Sequence, residues 1–83
     1  MAYCEIYDED RNIVKTSSSL RGILEYSRRV SVKAVSLFHG DAELGVEWAD
    51  GATTLVKFAD AAVMRRWAEA RRCFKGVPFK HYT

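Results

Sequence analysis

The chain is poor in the residues that catalytic and metal-holding proteins usually depend on. Its 83 residues include two cysteines, two histidines and one proline. Cys4 falls on an expected strand and Cys73 on an expected helix, and neither is close to His39 or His81. This spacing makes no zinc motif and predicts reduced thiols rather than a disulfide. Nucleophilic catalysis needs Ser, Thr or Cys near a His and an orienting acid. His39 falls in a turn beside Asp41, and His81 lies near the end of the sequence. The two are conceivable as an acid–base pair for RNA cleavage, but surface histidines are the expectation. Gly40, Gly45 and Gly51 lie in or between strands, so no glycine loop is available to cradle phosphate. No catalytic residue, metal or cofactor is therefore expected.

Long apolar runs are also missing. No stretch approaches the roughly 20 residues that span a bilayer, so no membrane partner is expected. The first ten residues hold Glu5, Asp8, Glu9 and Asp10 instead of the basic-then-apolar layout of a secretory signal. The expectation is a cytoplasmic protein. Internal repeats and low-complexity segments are absent. The 48% hydrophobic content and ten aromatics still describe a globular chain, and its length suits one domain over residues 1–83.

What the sequence does have is a sharp layout of charge. A net charge of +2 conceals four blocks of alternating sign. Residues 1–10 carry four acids and no base, and residues 41–60 carry five acids and one base. Residues 11–40 and 61–83 each carry six bases and one acid. The basic blocks contain the expected helices, and the acidic blocks contain mostly strands and turns.

Residues 42–67 organise the fold. Ala42, Leu44, Val46 and Trp48 alternate with Glu43, Gly45, Glu47 and Ala49, the period of a half-buried strand. Asp50-Gly51 supplies a turn, and the next strand brings Val56 and Phe58. A two-residue loop would put Lys57 opposite Leu44, among the core residues. A three-residue loop over Ala49, Asp50 and Gly51 pairs Trp48 with Ala52, Val46 with Thr54, Leu44 with Val56 and Ala42 with Phe58. That register gathers Leu44, Val46, Trp48, Val56 and Phe58 on one face and is the one adopted, with Gly51 in a left-handed bulge position. Asp60 should then cap a helix whose apolar stripe is Val63, Trp67, Ala70 and Phe74. Gly76 should end it, and Pro78 prevents its resumption.

Before this core lies a first hairpin, residues 2–7 and 13–15, with the acidic tip Asp8-Glu9-Asp10. A helix follows, capped by Ser17 or Ser18, with Leu20, Ile23, Leu24, Ser27 and Val30 along one side. Gly22 is either close to the sheet or simply tolerated. The strand over residues 32–38 is apolar on both faces, so its core face stays open between Val35 with Leu37 and Val32, Ala34 with Phe38. Residues 75–83 are expected as a short tail, frayed or folded back on its aromatics. The order is β-β-α-β-β-β-α, an α+β fold with an antiparallel sheet and two helices on one face.

Arg21, Arg28, Arg29, Arg65, Arg66 and Arg72 project from the helix side, and arginine suits bidentate recognition of phosphate or carboxylate. With Asp8, Glu9 and Asp10 they make the expected partner-binding set. Tyr3, Glu5, Tyr7, Glu43 and Glu47 should share the opposite sheet face. An edge strand also leaves a homodimer open.

Residues 17–74 are similar in element order to double-stranded-RNA-binding domains, whose basic cluster opens the second helix. Here that position reads Asp60-Ala61-Ala62-Val63, so the family's phosphate contacts are not carried over. The segments SLRGILEYSRRVSV and WADGATTLVKFADAAVMRRW resemble small accessory proteins encoded by phages and mobile elements, anti-CRISPR inhibitors among them. That resemblance implies a stoichiometric binder of one protein or nucleoprotein complex and transfers no site residue. The alternative is a nucleic-acid binder, of dsRNA or DNA, using Arg28, Arg29, Arg65, Arg66 and Arg72.

Overall fold

The computed structural model describes residues 20–83 in full and the backbone of residues 4–7 and 13–17. The strands are β1 (Cys4–Tyr7), β2 (Ile13–Ser17), β3 (Val32–Phe38), β4 (Glu43–Trp48), β5 (Thr53–Lys57) and β6 (Phe79–Tyr82). The helices are α1 (Arg21–Tyr26) and α2 (Ala61–Glu69), and single 3₁₀ turns cover His39–Asp41 and Arg72–Phe74. The strands form one six-stranded sheet in the order β2-β1-β5-β4-β3-β6. The fold is α+β, and both helices contribute to one apolar core.

The central hairpin adopts the three-residue register. Leu44 pairs with Val56 and Val46 with Thr54. The Trp48 amide donates to Ala52 O at 2.9 Å, and the Phe58 amide donates to Ala42 O at 2.9 Å. Gly51 takes φ 93°, where only glycine is unstrained. Asp50 secures the loop, its Oδ1 accepting the Ala52 amide at 2.9 Å. Leu44, Val46, Trp48 and Val56 are all buried on the helix side, and Phe58 packs at the margin of the core.

A bulge decides the core face of β3. Val32 pairs with Trp48 but Ala34 pairs with Glu47, so Lys33 is an extra residue and side-chain parity reverses there. Val32, Val35 and Leu37 consequently all join the core, while Ala34 and Ser36 are buried on the opposite face. Neither alternation in the sequence describes this strand, because each holds for only part of its length.

The helices differ from expectation in extent. Ser17 belongs to β2 and so does not cap α1, which begins after Leu20 without a side-chain cap. Ser18 and the hairpin tip Asp8-Glu9-Asp10 lie outside the described residues. α1 stops at Tyr26, where the Ser27 hydroxyl turns back to donate to Leu24 O at 2.7 Å and irregular turns take over. Gly22 and Ile23 are buried, but Leu24 is exposed, contrary to its expected place in the core.

Asp60 does cap α2, its Oδ1 accepting the Val63 amide at 2.8 Å. The buried stripe, however, is Met64 and Ala68, flanked by Ala61 and Trp67. Ala70 is exposed. The helix ends at Glu69, well short of Gly76, and Phe74 reaches the core from a separate 3₁₀ turn.

The tail is a strand. Gly76, at φ 77°, turns the chain, and Pro78 O accepts the Val35 amide at 3.0 Å. β6 then runs parallel to β3, from Val35 opposite Phe79 to Phe38 opposite Tyr82, so the sheet is mixed rather than antiparallel. Phe79 meets Phe74 edge-on at 6.2 Å. Full burial of side chains such as Ile23, Leu37, Leu44 and Val56 stabilises by about 1.5–3 kcal/mol each.

Candidate functional site

The early end of α2 shapes the basic surface. With the helix finished at Glu69, residues 70–73 pass alongside the end of α1. Leu24, Ser27 and Arg28 form one wall of a cleft of 620 Å³, and Ala70, Arg71, Arg72 and Cys73 form the other. The cleft combines three guanidinium-bearing residues with an apolar lining from Leu24, Ala70 and Cys73.

Arg71 is held in place by two contacts with Trp67. Its Nε donates to Trp67 O at 3.1 Å, and its guanidinium carbon lies 4.8 Å from the centre of the Trp67 ring. The first contact satisfies a last-turn carbonyl and the second is a cation–π contact. Arg28 and Arg72 are exposed and form no ion pair with any described residue. Arg29 shares a smaller hollow of 310 Å³ with Glu25 and Arg28. Cys73 is a free thiol, half-buried. Burial raises its pKa, although the Ser27 hydroxyl acts in the other direction, and the net shift favours the neutral thiol.

Of the expected arginines, Arg28, Arg29 and Arg72 are brought together at this end of the molecule. Arg72 stands on a 3₁₀ turn and Arg28 and Arg29 stand beyond α1, so none of the three is on a helix face. Arg21, Arg65 and Arg66 are exposed on the helices but do not line the cleft. Arg71 was missed by sequence reasoning, although its position four residues after Trp67 is the spacing for a helical side-chain contact.

The register places Glu5, Tyr7, Glu43 and Glu47 on the helix-free face of the sheet, as expected, and Tyr3 lies outside the described residues. Glu47 approaches the Lys80 ammonium at 3.8 Å, and Glu43 stands opposite Lys57 across the β4–β5 ladder. The register places Glu5 opposite Leu55 and Tyr7 opposite Thr53. Ser36, Gly45 and Leu55 floor a shallow hollow of 360 Å³ there, with Lys33 and Phe38 also lining it. Phe38 stacks on Tyr82 at 5.0 Å.

Folding also unites the two histidines. His39 Nε2 and His81 Nδ1 lie 3.0 Å apart, although 42 residues separate them in sequence. The rings are inclined by only 13°, with centroids 5.3 Å apart. Facing nitrogens at this separation between near-parallel rings join edge to edge through one N–H···N hydrogen bond. Because each ring's facing nitrogen is occupied by the other, the pair is poorly arranged to act as separate acid and base on a substrate.

Among the described residues no helix is long and apolar enough to cross a membrane. The chain matches no protein-family model, and no curated protein or solved structure matches it significantly.

Proposed function

We propose that the protein is a non-enzymatic binding module of the cytoplasm that engages and blocks a protein or nucleoprotein partner through the cleft of Arg28, Arg71 and Arg72. The observation that carries this reading is the convergence of three arginines from two chain segments on one cleft. One of them is fixed against Trp67, and the other two are unpaired among the described residues. A planar guanidinium fork matches a carboxylate or phosphate, and a prefixed side chain loses less entropy on binding. The apolar lining suits a protein surface, where an anchor pocket is dry at its centre and charged at its rim. The resemblance of two segments to phage-encoded inhibitors supports the inhibitory half of the reading.

The test is capture from host lysate with wild-type protein and with Arg28→Glu/Arg72→Glu, each with and without nuclease. One stoichiometric protein partner should survive nuclease treatment, and the double variant should weaken its binding by at least about a hundredfold, or tenfold per contact. Recovery of only heterogeneous, nuclease-sensitive nucleic acid would overturn the reading in favour of a phosphate-binding surface. In that case affinity would also fall steeply with salt.

A further inference from the structure

The His39–His81 pair offers chemistry that the arginine cleft does not use. His39 belongs to the 3₁₀ turn after β3, and His81 belongs to edge strand β6. The pair is held from several directions. Phe38 and Tyr82, the neighbours of the two histidines, stack at 5.0 Å. A side-chain carbon at Gly40 would stand only 3.3 Å from the backbone carbon of Thr83, so the end of the chain lies directly against the turn. Leu37 and His81 are register partners across the β3–β6 ladder. The facing nitrogens therefore owe their 3.0 Å separation to the backbone as well as to side-chain choice.

Imidazole is the commonest side-chain ligand for late transition metals, and it coordinates through the lone pair of a neutral ring. With metal–nitrogen bonds of about 2.0–2.1 Å, two nitrogens in adjacent positions of a tetragonal ion sit about 2.9 Å apart. Around a tetrahedral ion they sit about 3.3–3.4 Å apart. The hydrogen-bonded separation of 3.0 Å is within a few tenths of an ångström of both values, so the nitrogens need little translation to reach either arrangement. Turning each accessible ring by about 45° would aim both lone pairs away from each other and toward a shared ion. His81 is exposed and His39 half-exposed, so an ion can reach them from solvent.

We infer that His39 Nε2 and His81 Nδ1 form a two-histidine chelate for a divalent late-transition-metal ion such as Cu²⁺ or Ni²⁺. Among the described residues no third His, Cys, Asp or Glu completes a cluster, so water fills the remaining positions. In the metal-free pair one facing nitrogen carries the bridging proton. On binding, that ring moves the proton to its other nitrogen, so a neutral pair releases none and a singly protonated pair releases one. The charged groups of the surrounding elements are Asp41 on the turn, Lys57 with its ammonium 3.4 Å from Asp41 O, and Lys80 on β6. The ion would tie β6 to the turn and so stabilise the folded state by an amount that grows with the logarithm of one plus the ratio of metal concentration to Kd.

The experiment is titration of the full chain with Ni²⁺ by calorimetry and by thermal unfolding, with Cu²⁺ used for electron paramagnetic resonance. Wild-type protein should bind one ion, unfold at a higher temperature with metal, and show two equatorial nitrogens on Cu²⁺. His81→Gln, at an exposed position, should lower affinity at least about tenfold, because one imidazole lacks the effective concentration of a chelate. His39→Ala/His81→Ala should abolish specific binding, with circular dichroism confirming that both variants fold. Unchanged binding in the double variant, a single nitrogen in the spectrum, or no thermal shift at millimolar metal would each overturn the assignment.

Discussion

Thr54→Val tests the core and the hairpin register together. Thr54 is fully buried, and its Oγ1 accepts the indole N–H of Trp48 at 2.6 Å. The contact exists because the three-residue loop places Thr54 opposite Val46, diagonal to Trp48 on the core face. Valine keeps the shape but removes the acceptor, leaving a donor with no partner where only 1% of Trp48 is exposed. An unpaired buried polar group costs about 1–3 kcal/mol. In a domain of this size about 2 kcal/mol lowers the melting temperature by roughly 8–16 °C. Trp48→Phe removes the donor instead, but it also leaves space, so the two single changes cannot be compared directly. A double-mutant cycle removes that difficulty. Thr54→Val should cost about 1–2 kcal/mol less in the Trp48→Phe background than in wild type, measured by urea unfolding monitored with circular dichroism. Coupling below about 0.5 kcal/mol would refute the reasoning, and with it the placement of Thr54 on the core face.

Two further perturbations act at the same hairpin. Gly51→Ala forces an alanine to φ 93° and should lower stability by about 1–2 kcal/mol in chemical unfolding; an unchanged midpoint would show that the loop relaxes freely. The Tyr26 hydroxyl donates to the Asp50 carboxylate, and this hydrogen bond lowers the Asp50 pKa and raises that of Tyr26. The Asp50 contribution is present above its ordinary value of about 3.9 and is lost as pH falls through the lowered one. The Tyr26 contribution is present below about 10 and is lost as pH rises through the raised one. Tyr26→Phe should therefore flatten both the acid and the alkaline limb of the unfolding midpoint, by under about 1 kcal/mol because the pair lies at the surface, with Asp50 exposed and Tyr26 half-buried.

The legible parts of the fold were those where one local rule dominates. Alternation from Leu44 to Trp48, a glycine able to take positive φ and an acid before an apolar helix each have a single structural meaning. The register, the bulged turn and the Asp60 cap follow from them. The less legible parts depend on partners distant in sequence. The β3 face needed the extra residue at Lys33, which only pairing with β4 reveals. β6 has four residues, two of them Lys80 and His81, and as an edge strand it pairs on one side alone. Such charge on an edge discourages further pairing and also hides the strand from pattern reading.

The candidate site follows the same division. Six arginines could be read as basic helix faces, but their grouping depends on where the helices stop. The pattern of Val63, Trp67, Ala70 and Phe74 is equally compatible with a helix continuing to Phe74. A continuous helix would carry Arg72 on its outer face as an ordinary solvated charge. Instead Arg71 takes the Trp67 carbonyl and lies over the indole, and the chain leaves the helix after Glu69. Phe74 can then pack edge-on against Trp67 at 6.0 Å while the chain turns through Gly76 into β6. The break that serves the aromatic core thus carries Arg72 and Cys73 to the side of Ser27 and Arg28. The arginine cleft and the sixth strand are two consequences of one helix terminus, and a sequence pattern that runs through that terminus conceals both.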